Sequence, residues 1–296
     1  MRIGLLLLAL GCRRDDPKTD ATPYDLSEVE DPGQSLDGDS GEVDSGDTGG
    51  AVDTGGADDT GEQVQPQVDI RTFAMLQVVS TLVTDPGPFT DDVETGLTTS
   101  LALARWERVG TDVTWTETTC SVEQNEVFDT LTSFPDAFVD TMPVRTRTGT
   151  LSAPETGAAL TAGPFYDLVG VELDNPAGEA LPDDPDDRRV FDQDEDGEPG
   201  VTVHVDQAIM GEGDVYVVQR STTTYAGVVV SGERIEGYLD STPEQSVLSA
   251  SAWWLELEVP PPEPDPEPRN SYFVMQQMDD DAGCADVLAQ REALFD

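Results

Sequence analysis

Between Thr19 and Gln65 the chain carries 14 acidic residues, no basic residue and a single aromatic side chain, Tyr24. Within that stretch Asp44-Ser45-Gly46-Asp47-Thr48-Gly49-Gly50 is echoed by Asp53-Thr54-Gly55-Gly56 and Asp58-Asp59-Thr60-Gly61. Such a segment has too little apolar surface to offset the entropy of ordering it, its like charges repel, and its glycines keep it pliable. It is expected to be a disordered spacer. Any packed core must therefore come from the residues C-terminal to it, and composition changes near Val68. The expected division is 1–11, 12–67 and 68–296, with only the last part folded.

After Val68 the chain is dominated by Thr, Val, Tyr, Trp and Phe, which favour strands. Strands are expected at 71–82, 98–106, 112–122, 144–151, 166–174, 201–207, 214–230, 233–240, 246–258 and 271–278. Gly, Pro and Asp separate them at short intervals. The fold class expected is all-β, an antiparallel barrel or sandwich. The tail from Ala282 to Phe295 reads as a short C-terminal helix that packs on the sheet or across a barrel mouth. Trp253 and Trp254 are expected on opposite faces of a strand. Arg145 and Arg147 share one face of theirs, to pair with carboxylates or to meet an anionic ligand.

The N-terminus reads as an address. One positive charge precedes Ile3-Gly4-Leu5-Leu6-Leu7-Leu8-Ala9-Leu10-Gly11-Cys12. This run is far shorter than the ~20 residues a membrane-spanning helix needs, and it has the form of an export signal. Ala9-Leu10-Gly11-Cys12 resembles the lipobox of bacterial lipoproteins. The resemblance implies cleavage before Cys12, diacylglycerol and palmitate-type acylation there, and a membrane partner reached through the lipid. Several acyl chains on one residue give stable anchoring. With Arg13 following the cysteine, the resemblance implies the outer membrane of the cell envelope.

Export bears on the two remaining cysteines. In an oxidising compartment an even pair, Cys120 and Cys284, suggests a disulfide, with two separate buried thiols as the alternative.

Asp192-Gln193-Asp194-Glu195-Asp196-Gly197 is the one motif of the folded part with chemistry attached. Carboxylates at alternate positions can converge on one ion, and glycine at the sixth position permits a sharp turn. The motif resembles the first half of an EF-hand or dockerin loop, which implies calcium held by Asp192, Asp194, Asp196 and the carbonyl of Glu198. The second half departs from that pattern. Val203 occupies the twelfth position, and a strand rather than a helix follows. Asp206, Asp183-Asp184 or Asp186-Asp187 are candidates to complete the shell. The competing reading is an acidic surface loop.

Charge and motif content set aside several functions. With 15 basic and 61 acidic residues the net charge is −46, which repels nucleic acid and suits calcium or cationic partners. The folded part contains no lysine, no G-x-S-x-G, no glycine-rich nucleotide loop and no H-E-x-x-H. No catalytic residue is expected. The leading expectation is a non-enzymatic binding or structural module with a structural calcium, meeting a protein or small-molecule partner. The alternatives are a lipocalin-like barrel around a small apolar ligand and an envelope hydrolase using carboxylates.

Overall fold

The computed structural model describes residues 68–85, 92–256 and 261–295. The expected signal segment, Cys12 and the acidic segment to residue 67 lie outside the described residues. In chain order the strands are β1 (Val68–Thr84), β2 (Val93–Val109), β3 (Asp112–Gln124), β4 (Thr130–Ser133), β5 (Arg145–Leu151), β6 (Ala159–Val169), β7 (Val201–Gln207), β8 (Gly211–Ser231), β9 (Arg234–Ala250), β10 (Glu263–Pro264) and β11 (Tyr272–Met278). Helix α1 (Asp136–Thr141) lies between β4 and β5, and α2 (Cys284–Ala289) and α3 (Arg291–Phe295) end the chain.

Eight strands close a ring in the order β1-β2-β3-β5-β6-β8-β9-β11, every neighbour antiparallel, with β11 returning to β1. The expectation of an all-β, antiparallel barrel or sandwich with a short C-terminal helix holds, and the closed ring makes it the barrel. Closure removes the open edges that would otherwise template further pairing. The extra strands extend one end. β7 pairs with the first part of β8, and β4 pairs with β7.

Alternation along β1 shows how the wall is built. Phe73 and Met75 enter the interior, while Ala74 and Leu76 belong to an outer patch with Leu101, Leu103 and Val287. The C-terminal helices cover that outer patch, so the tail packs on the wall and not across a mouth. A disulfide between Cys120 of β3 and Cys284 of α2 fastens it there, with Cα atoms 5.1 Å apart.

The interior is filled at one end by aromatic rings. Trp106 stacks on Trp115 at 5.6 Å, Tyr225 stands edge-on to Trp115 at 5.9 Å and to Phe273 at 5.3 Å, and Phe73 meets Trp106 at 6.1 Å. Such pairs add ~0.5–1.5 kcal/mol each beyond their burial. Val68 pairs with Val109 beside the β2–β3 turn, so the described chain begins at this plugged end. The opposite end carries β4, β7 and α1, whose Phe138 packs with Val83 of β1 in a second apolar cluster.

Several elements differ from the sequence reading. β6 begins at Ala159, several residues before the expected 166. β9 runs unbroken from Arg234 to Ala250 where two strands are expected. The two tryptophans do not lie in a strand. The β8–β9 ladder ends at Ala250, and Ser251 closes it: its N–H donates to the Asp214 carbonyl, and its Oγ accepts from the Asp214 N–H. The chain then turns into a single 3-10 turn, Trp253–Glu256, which buries Leu255 and leaves Trp253 70% exposed.

Candidate functional site

The connection from β6 to β7 carries the acidic motif, and two glycines hold its ends against β8. Gly170 has φ +67°, and a Cβ there would lie 2.8 Å from the Gly200 Cα. Gly200 has φ +84°, and a Cβ there would lie 2.3 Å from the Val217 carbonyl oxygen. Both positions require glycine. Between them the Gln193 N–H donates to the Gly200 carbonyl at 2.9 Å, and the Gly170 N–H donates to Gln193 Oε1 at 2.8 Å. The loop is thereby pinned at both ends to the barrel wall.

Inside this frame the carboxylates converge. One ligand oxygen from each of Asp192, Asp194 and Asp196 lies within 4.8 Å of the others, a group that could hold a metal ion. Asp192 accepts from the N–H groups of Asp196 at 3.2 Å and Gly197 at 2.9 Å. Asp196 accepts from the Glu198 N–H at 2.9 Å and from the Thr202 hydroxyl. Asp194 is 6% exposed, and its Oδ2 accepts from the Thr202 N–H at 2.8 Å. Its Oδ1 is buried with no partner. Burial first, then the charges of Asp196 and Asp192, push the Asp194 carboxyl above the usual carboxylate range, against the pull of the Thr202 N–H. Three carboxylates gathered with one buried oxygen unmatched are destabilising without a cation.

Of the expected ligands, the structure brings together the three aspartates. Glu198 is exposed, and its side chain is not part of the cluster. Asp183, Asp184, Asp186, Asp187 and Asp206 are not part of it either. Asp187 instead binds Arg189, which with the Arg189 N–H lowers its pKa to about 2.

Sequence reasoning placed Arg145 and Arg147 on one face but could not say that the face is the barrel interior. Above the aromatic plug lies a charged layer. Arg147, 3% exposed, donates to both oxygens of Asp167 at 2.9 and 2.8 Å. Its Nε lies 3.5 Å from Glu117 Oε2, and its guanidinium sits 4.9 Å over the Phe165 ring. Burial alone would lower the Arg147 pKa, but the bond to Asp167 and the charge of Glu117 more than reverse this. Gln77 donates to Glu117 at 3.0 Å and accepts from the Tyr225 hydroxyl at 3.0 Å. Burial, then Glu117, push the Tyr225 phenol well above its ordinary range. Arg145 approaches Asp167 at 3.3 Å and Glu117 at 3.8 Å.

Over this layer is a cavity of about 170 Å³ whose lining includes Gln77, Arg145 and Asp167 at its floor and Phe138 of α1 on its far side. The other titratable candidate, His204, hydrogen-bonds Asp214 at 2.9 Å at the surface, its side chain 40% exposed. Cys120 and Cys284 are joined, so neither is a free thiol for it.

Comparison with known proteins finds no matching family model, no matching curated protein and no matching solved structure.

Proposed function

We propose that this chain is a non-enzymatic binding module of the cell envelope, anchored through lipidated Cys12 and stabilised by calcium in the Asp192–Glu198 loop. The observation that carries the calcium reading is the buried, partnerless Oδ1 of Asp194 beside two further carboxylates. A hard divalent cation supplies the missing partner and cancels the repulsion, with backbone carbonyls and water completing the shell. The affinity expected is that of extracellular modules, ~10⁻⁴–10⁻³ M. The ion's role is structural, because a strand and not a helix follows the loop, so no helix of the loop opens on binding.

The test is thermal unfolding of the full chain in 10 mM calcium chloride against 10 mM magnesium chloride, which controls for general screening of an acidic surface. Calcium should add roughly 1.4–2.7 kcal/mol of stability, the linkage gain at about 10–100 times Kd. Asp194→Asn retains the acceptor for Thr202 and should leave the ion-free protein as stable or more so, while abolishing the calcium increment. An equal response to both ions, or an undiminished response in the variant, counts against the site.

Anchoring rests on the lipobox resemblance. In an export-competent bacterium fed labelled palmitate, the wild-type chain should take up label and enter the membrane fraction, and Cys12→Ser should do neither. Equal labelling of the variant would remove the anchor from the scheme.

Hydrolysis by a carboxylate pair needs one carboxyl able to donate a proton and a partner across the scissile bond. The two carboxylates of the barrel interior, Glu117 and Asp167, are both engaged by guanidinium groups. That engagement favours binding over catalysis. A second reading, a barrel that carries a small ligand, is favoured by the cavity, though its charged floor does not suit the purely apolar ligand of a lipocalin-like carrier.

A further inference from the structure

We infer that the barrel cavity is a binding site for an uncharged ring compound bearing a carbonyl group and an adjacent N–H or O–H donor, a small amide or lactam. The inference rests on reading the chain as a binding module and names the site and the class of ligand.

Size comes first. A cavity of about 170 Å³ is close to the ~150 Å³ apolar cavity that accommodates benzene. One ring with a short head group fits; a fatty chain or a sugar chain does not.

Charge comes second. Arg145 and Asp167 line the floor, and in the layer they share with Arg147 and Glu117 each guanidinium contacts both carboxylates. The layer is neutral as it stands. A carboxylate or ammonium ligand would bring an unbalanced charge against a layer whose charges are already paired with one another. An anion is further opposed by the overall charge of −46.

Hydrogen-bonding capacity comes third. Arg145 reaches Asp167 through Nε and Glu117 and Thr119 through Nη1, and its Nη2 contacts no acceptor among the described residues. Across the same cavity Ser100, Gln219 and Ser221 line the wall, and side-chain oxygens of this kind accept hydrogen bonds. The site therefore offers a donor and acceptors. A ligand carbonyl accepts from Arg145 Nη2, and the ligand's own N–H or O–H donates to these oxygens. Val79, Val122 and Phe138 supply the apolar part of the wall and cover a ring. The cavity lies toward the end of the barrel opposite Val68, beneath α1.

The experiment titrates the full chain carrying Cys12→Ser, which removes only the anchor, with benzamide, benzoate and benzylamine. The three share one ring and differ chiefly in charge. Ligand-observed nuclear magnetic resonance gives each dissociation constant. Benzamide should bind saturably and at least about tenfold more tightly than either charged probe. Arg145→Met should weaken benzamide at least about tenfold, the loss expected for one charge-assisted hydrogen bond. Because Arg145 also touches Asp167 and Glu117, Val122→Phe serves as a second variant: it fills the cavity, leaves the charged floor intact and should block benzamide. Preference for benzoate or benzylamine, or benzamide binding that survives both substitutions, overturns the inference. The calcium melt on the same sample separates the two levels. A chain that gains stability from calcium but takes up no benzamide contradicts the cavity site alone. A chain that does neither contradicts the binding-module reading as well.

Discussion

Replacing Arg147 by methionine is expected to lower stability by about 3–5 kcal/mol, the range for removing one partner of a buried ion pair. Methionine approximates the aliphatic stem, so most of the packing is kept while the guanidinium contact with the Phe165 ring is lost. What remains is Asp167, stripped of a two-pronged partner and left with Arg145 at 3.3 Å, and Glu117, 2% exposed and left with Gln77 and the more distant Arg145. Two carboxylates would then share one interior guanidinium. Urea unfolding should show the midpoint falling with the slope unchanged. The double variant Arg147→Met with Asp167→Leu should recover much of the loss, because the pair leaves together and no charge is orphaned. A single-variant cost below about 1 kcal/mol, or simple additivity in the double variant, would show that the layer is solvated and not a sealed floor.

The second large effect is at the disulfide. Cys120 and Cys284 are 164 positions apart. Closing so long a loop restricts the unfolded chain, and the chain-entropy model assigns it about 4–5 kcal/mol. Cys120→Ser with Cys284→Ser should therefore lower stability by about that amount, and dithiothreitol should reproduce the effect in the wild type. The folded tail itself should stay in place. Val287 is fully buried among Leu101 and Leu103, and the Asp286 carboxylate accepts the Gly283 N–H at 2.9 Å to start α2. Near-ultraviolet spectra of folded reduced and oxidised protein should coincide. Loss of the tail's protection in hydrogen exchange on reduction, at unchanged global stability, would place the effect in the native state instead of the unfolded one.

The barrel was legible in the residues wherever local preference and tertiary demand agree. The Thr- and Trp-rich run of β3 alternates inward Val113 and Trp115 with outward Thr114 and Thr116, and an even cysteine pair in a chain expected to be exported pointed to its bridge. Legibility failed where a residue's local preference is overruled by its neighbours. A break is expected between 240 and 246, yet β9 continues through Pro243 there. Beyond Leu239 β9 has lost β11 and keeps only β8 alongside, and a strand with one free edge tolerates proline. The start of β6 was obscured by Gly163 and Pro164, which interrupt its register with β8 between Ala162 and Phe165.

The site was legible in part for the same reason. The alternate aspartates of the loop announce themselves within five positions. The charged floor does not. Arg147 finds its partners 30 positions before it at Glu117 and 20 after it at Asp167. Among 61 acidic residues nothing local marks those two. Inward-facing arginine also contradicts the ordinary expectation that charges face water. The orphaned oxygen of Asp194 exists only as a consequence of packing.

The most direct test of the account asks whether the aspartate loop is a built ion site or one more acidic patch. Amide resonances of the isotope-labelled full chain would be followed during a calcium titration. The account predicts that Gly197, Glu198 and Thr202, whose N–H groups donate to Asp192, Asp196 and Asp194, shift together and saturate with one constant of ~10⁻⁴–10⁻³ M, and that magnesium does not reproduce the shifts. Small, unsaturating shifts spread over the acidic surface and matched by magnesium would contradict it.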